Sequence, residues 1–166
     1  MLDPSVKNLK VKSTAFDEGE MIPSEYTCDG ENVSPDLSWK GAPGSVKSYA
    51  ILVVDPDIPI PKFLIPEWVH WVVYNIPPEV TSIPRAFPKE ASSVRSVKQG
   101  VTSYKKPGYH GPCPPFGTHR YYFKVYALDI TLDLEPGKAT RKKILAAING
   151  HVLAYGELMG KYKRRK

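Results

Sequence analysis

Five side chains stand where apolar stretches meet prolines, and they are the groups best placed for chemistry. Asp55 and Asp57 belong to Asp55-Pro56-Asp57-Ile58-Pro59, directly after an apolar run. His70 lies near the start of the next run, and His119 and Tyr121 open a third. An isolated carboxylate or imidazole in apolar surroundings costs several kcal/mol unless paired. These groups should therefore pair with each other, with an ion or with a ligand. Three chemistries compete. In the first, imidazole N–H groups, a tyrosine hydroxyl and loop amides form an anion pocket whose carboxylates orient the histidines. A carboxylate beside either histidine would keep that imidazole charged to higher pH. In the second, two Asp and two His hold a hydrolytic metal, although no HxxxH-type local spacing supports it. In the third, the apolar run followed by Asp55-Pro56-Asp57 resembles the nucleophile motif of haloacid-dehalogenase-like phosphatases. That reading fails on context. Pro59 stands where Thr or Val is expected, no helix follows, and the chain lacks a βαβ rhythm.

The elements that must position these groups are strands. Residues 48–55 form a near-continuous apolar run of strand length, expected to be buried on both faces. Residues 69–76 form the next strand, with His70, Val72 and Tyr74 on one face and Trp71, Val73 and Asn75 on the other. Residues 119–128 alternate as a central strand, His119, Tyr121, Phe123, Val125 and Ala127 sharing a face. Before it, residues 108–117 are dense in Gly and Pro, a stiff irregular loop that can deliver His119 and Tyr121 to a rigid polar pocket. Arg120 points the opposite way and suits a structural ion pair.

Elsewhere the pattern predicts a strand at 9–16, a long loop at 17–35, a short strand at 37–39 and a short strand near 94–101. Thr140 should cap a helix running to about Asn149 and stopped by Gly150. A second short helix is expected over 151–157, with 158–162 returning as a strand. His110 and His151 read as ordinary polar residues.

With 166 residues and 42% hydrophobic content, the chain suits a single domain over 1–166 that buries a real core. Its 17 Pro and 12 Gly are spread along the whole length, which favours many short strands over disorder. No apolar run is long enough to span a membrane and the start has no signal-peptide core, so a cytoplasmic location is expected. That discounts the sequon at Asn32-Val33-Ser34. The net charge of +6 owes much to the last six residues, a basic end expected to be solvated, with membrane contact at most peripheral. No nucleic-acid motif accompanies it, so no nucleic-acid partner is expected. Cys28 and Cys113 match no CxxC or zinc spacing and are expected as two reduced, mostly buried thiols. A bridge in the cytoplasm would be unusual outside hyperthermophiles. A lone glutamine, Gln99, hints faintly at heat adaptation.

Taken together, the motifs resemble a known family. Asp55-Pro56-Asp57-Ile58-Pro59, His70-Trp71, and Gly111-Pro112-Cys113-Pro114-Pro115 through His119-Arg120-Tyr121 resemble the phosphatidylethanolamine-binding protein family, most of all its prokaryotic, Raf-kinase-inhibitor-like branch. The likeness continues in Tyr26-Thr27-Cys28-Asp29-Gly30, Ser34-Pro35, Leu37, Trp39 and Gly150-His151, and spans residues 9–162. It implies a mainly β fold, an antiparallel Greek-key β-sandwich-like architecture with peripheral C-terminal helices. It also implies a small cleft for phosphate and phospholipid head groups, made by Asp55, Pro59, His70, Gly111, Pro112, His119 and Tyr121, with Trp68 as a wall. Asp57 is kept with them, a turn-forming role being its alternative. Between Pro115 and His119 the loop departs from the eukaryotic pattern.

The function expected is non-enzymatic binding of a small anionic group, phosphate or a phosphorylated head group. No nucleophile–base–orienter set is visible, and no cofactor is expected. The alternative is a protein-interaction module, a serine-protease inhibitor or a signalling modulator with a protease or kinase as partner. A metal-dependent phosphohydrolase ranks below both.

Overall fold

The strand over residues 48–55 is buried at every position because both of its faces are covered. The computed structural model describes residues 6–92 and 96–165. In chain order the elements are β1 (Lys7–Asn8), β2 (Lys10–Lys12), β3 (Leu37–Lys40), β4 (Ser48–Asp55), β5 (Trp68–Ile76), β6 (Ser82–Ile83), β7 (Lys98–Gln99), β8 (His119–Leu128), α1 (Arg141–Ile148) and β9 (Val152–Tyr162). They form a six-stranded sheet in the order β1-β9-β8-β4-β5-β7 and a three-stranded sheet in the order β2-β3-β6. Pairing is antiparallel except for β1, which lies parallel to β9.

One face of the large sheet, with Ile51, Val53, Trp71, Val73, Phe123 and Val125, packs on Val11, Leu37, Trp39 and Ile83 of the small sheet. The other face, with Leu52, Val54, Val72, Tyr74, Tyr126 and Leu128, is closed by Ile144 and Ile148 of α1. The mainly β sandwich expected from the sequence is therefore present, with helix on the outer side. The α1 cap is also as expected, Thr140 Oγ1 accepting from the Lys143 N–H at 3.2 Å.

Three expectations need correcting. Residues 151–157 are not a second helix, because β9 begins at Val152 and pairs with β8 along its length. Its buried positions repeat every second residue through Ala154, Gly156, Leu158, Gly160 and Tyr162. The glycines hide that period from a hydrophobicity reading. A Cβ on Gly156 would stand 2.2 Å from the Leu9 carbonyl oxygen, so the close approach of this neighbouring segment requires glycine. The first strand stops at Lys12 because the Asp36 carboxylate captures Ser13 Oγ, Thr14 Oγ1 and the Thr14 N–H. The strand expected near 94–101 reduces to Lys98–Gln99, and its start at Val94 falls outside the described residues. Gln99 is buried, accepting from Trp71 Nε1 at 2.6 Å and donating to the carbonyls of Pro88 and Glu90. Its role here is to satisfy buried polar groups.

Candidate functional site

A break in pairing between β4 and β5 builds the site. Val53 faces Trp71 but Val54 faces Val69, so one extra β5 residue, His70, is accommodated in a bulge. Val69 packs in the helix-side core and Trp71 in the sandwich core, although residues two apart on a regular strand share a face, so the bulge reverses the alternation at this point. His70 does not follow Val72 and Tyr74 to the helix side, as strict alternation requires. Its ring instead meets the Tyr121 ring edge-on at 5.3 Å, on the opposite side of the sheet.

There, Asp55, Trp68, His70, His119 and Tyr121 converge with Tyr104, Ile58, Pro59, Ile60, Cys113, Pro114 and Pro115 around a cleft of about 330 Å³. Asp55, His70 and His119 are all buried. The His119 Nδ1–H donates to Asp55 Oδ2 at 2.7 Å, and Asp55 Oδ1 accepts the Asp57 N–H at 2.7 Å. The latter bond shapes the turn after β4. The His119 ring stacks against Tyr121 at 6.4 Å. Tyr104 stands edge-on to both Trp68 and His70, each at 5.8 Å.

The two histidines differ electrically. His70 donates from Nδ1 to the His110 carbonyl at 2.5 Å. Burial pushes its pKa down to about 4, against the opposing pull of that carbonyl and of Asp55. His70 is thus neutral at physiological pH, and with its proton on Nδ1 it presents Nε2 as an acceptor. The expectation that a neighbouring carboxylate keeps this imidazole charged is overturned, because desolvation outweighs Asp55. Burial and the nearby Asp55 charge raise the Tyr121 hydroxyl, so it stays protonated and able to donate. Tyr104 is raised by burial as well.

The structure draws three expected site residues away from the cleft wall. Gly111 donates its N–H to Asn32 Oδ1 at 2.8 Å, and a Cβ there would lie 2.1 Å from the Tyr26 carbonyl oxygen. The Pro112 carbonyl accepts the Cys28 N–H at 3.1 Å. Both residues clamp two loops together and leave the lining to Cys113, Pro114 and Pro115. Asp57 is held by Arg120, which donates from its backbone N, Nε and Nη2 at 2.8–2.9 Å. That guanidinium holds the Asp57 carboxyl below the usual range, and Arg120 forms the structural ion pair expected of it. Tyr104 was not singled out by sequence, and its place in a Lys- and Pro-rich loop gives no sign of its position.

Cys28 and Cys113 are bridged, with Cα atoms 5.4 Å apart and 85 residues of separation, which corrects the expectation of free thiols. Folding brings the loops together, as Tyr109 Oη donating to the Tyr26 carbonyl also shows, and sequence spacing cannot reveal that proximity. Among the described residues, no cluster of three His, Cys, Asp or Glu side chains suited to a metal ion is found. No helix among them is long and apolar enough to cross a membrane.

A family model described as phosphatidylethanolamine-binding protein matches residues 12–163. The UPF0098 protein of Methanothermobacter thermautotrophicus is 47% identical over 156 residues, covering 94% of this chain and 99% of its own. Among solved structures, a phosphatidylethanolamine-binding protein homologue from Chlamydia trachomatis is 37% identical with a TM-score of 0.83, covering 95% of this chain and 99% of that one. E. coli YbcL, described as a new member of the mammalian family, is 30% identical with a TM-score of 0.86 and the same coverage. A carboxypeptidase Y inhibitor, solved with its cognate proteinase, is 18% identical with a TM-score of 0.53, covers 95% of this chain and 83% of its own, and shares the fold alone.

Proposed function

The chain belongs to the phosphatidylethanolamine-binding protein family, and from that membership we propose that its cleft binds a small phosphorylated group, phosphate or a phospholipid head group, without turning it over. The observation that carries this reading is the balance of donors and acceptors in the lining. Tyr104 and Tyr121 offer hydroxyl donors, and His119, oriented by Asp55 through Nδ1, offers an Nε2–H donor in its imidazolium form. Phosphate oxygens accept from such groups. Asp55 and the acceptor nitrogen of His70 suit the ammonium end of a zwitterionic head group. Among the described residues, no Lys or Arg lines the cleft, which disfavours a large polyanion. The volume suits a small group.

Binding without turnover is favoured by the state of the candidate nucleophiles. Cys113 is held in a disulfide, and the Tyr121 hydroxyl is pushed toward its protonated form.

Calorimetric titration with inorganic phosphate and with phosphoethanolamine tests the reading. His119→Ala removes a charge-assisted hydrogen bond worth about 1.5–3 kcal/mol, so affinity should fall roughly ten- to a hundredfold. Equal affinity in the wild type and His119→Ala would place the ligand elsewhere. Phosphate release from phosphoethanolamine, abolished by Asp55→Asn, would replace binding with hydrolysis.

A further inference from the structure

The loops around the cleft mouth carry large apolar side chains into solvent. Phe63 is 86% exposed, Leu64 64% and Phe116 68%. Phe63 and Leu64 follow the lining residues Ile58, Pro59 and Ile60, and Phe116 follows the lining residue Pro115. These side chains do not fold back onto the core because their loops are stiff. The Leu64 and Ile65 N–H groups both bond to the Pro61 carbonyl, and prolines punctuate each loop. Scattered single apolar residues on a surface mean little, but these three large ones all stand on loops that line one cleft.

The charge of the same rim has one sign. Residues 58–66, 104–107 and 113–118 together hold Lys62, Lys105 and Lys106 and no acidic residue. All three lysines are exposed. The acids flanking the first stretch are already occupied, Asp57 by Arg120 and Glu67 by Arg141. The basic C-terminal segment leaves the sheet at the same end, since Tyr162 pairs with His119. There Arg164 is held by Asp29, while exposed Lys163 and Arg165 add to the positive field. Rigid apolar tips ringed by cations match a bilayer surface of anionic lipid. The rings enter the acyl boundary and the lysines meet the phosphates.

We propose that this rim docks the protein on anionic membranes, with Phe63, Leu64 and Phe116 inserted and Lys62, Lys105 and Lys106 at the head groups. The proposal rests on the head-group reading of the cleft for its purpose, since docking would set the cleft mouth against the lipid surface. It does not depend on that reading for its test. A protein partner fits less well, because the rim lacks the mixed polar groups that would pair with a protein surface.

Full-length protein is sedimented with phosphatidylcholine vesicles and with vesicles containing added phosphatidylglycerol. Binding should be strong only on the anionic vesicles and should fall as salt rises. Each of Lys62→Gln, Lys105→Gln and Lys106→Gln should weaken it about fivefold. Phe63→Ser combined with Phe116→Ser should weaken it at least about tenfold. Calorimetry with inorganic phosphate should be unchanged in all of these, which shows that they fold. His119→Ala should lose phosphate affinity yet still sediment with anionic vesicles. Rim-dependent sedimentation in a protein that binds no phosphate would sustain docking and refute the cleft reading. Failure of the wild type to sediment at low salt overturns the proposal. So does sedimentation that the rim variants leave unchanged. Loss of serine-protease inhibition in the rim variants, without any vesicle binding, would assign the patch to a protein partner instead.

Discussion

His70 and His119 share one cleft in different settings. His119 donates its Nδ1–H hydrogen bond to a carboxylate, and His70 donates its own to a backbone carbonyl. The second arrangement has a measurable cost in acid. Burial lowers the folded-state pKa of His70 from the ordinary 6.5 to about 4, so the unfolded chain binds more protons between those values. The contribution is therefore fully present above pH 6.5 and is lost as pH falls toward 4. The loss is on the order of 3 kcal/mol at its largest. Urea denaturation followed across this window should show a steep acid decline in the wild type and a flatter one in His70→Phe. An equal slope in both would mean that His70 is protonated freely in the folded protein.

At the level of strands, legibility followed covering. β4 was readable to the residue because both of its faces meet apolar layers, and β8 because its inward residues alternate strictly from His119 to Ala127. β9 was not, because glycines stand where its buried face meets neighbouring chain. Gly156→Ala should cost about 1–3 kcal/mol by forcing Leu9 away, a change readable as a lower urea midpoint. A midpoint unchanged by that substitution would show that the β9 edge yields without strain. The site was legible in part for a similar reason. The residue types at Asp55, His70, His119 and Tyr121 point to a shared polar pocket, and the fold brings them together. The side on which His70 emerges depends on a bulge, which is a property of pairing between two strands and has no signature within either. Gly111 and Pro112 carry a recognisable motif, yet their contacts with the Tyr26–Asn32 loop could not be seen without the fold.

For the whole molecule, the disulfide joins the loop between β2 and β3 of the small sheet to the loop that walls the cleft. Closing a loop of 85 residues in the unfolded chain should stabilise the fold by roughly 2–4 kcal/mol. Cys28→Ser with Cys113→Ser should lower the denaturation midpoint accordingly, and no shift would mean that the bridge only decorates a packed contact. The sheet order has a consequence in time as well. β4 can pair locally with β5, whereas Asp55 meets His119 only when β8 docks across 64 positions of chain. Such long-range pairing is slow, because loop-closure entropy comes before the contacts that offset it. The order to be tested is that the two halves of the cleft close late, after the folding barrier. A ligand that needs both halves recognises the finished protein and not its transition state. In stopped-flow experiments, saturating phosphate should leave the refolding rate unchanged and slow unfolding, so that the ligand prolongs the life of each folded molecule without hastening its birth. Faster refolding with phosphate would instead place the union of β4 and β8 early in the pathway.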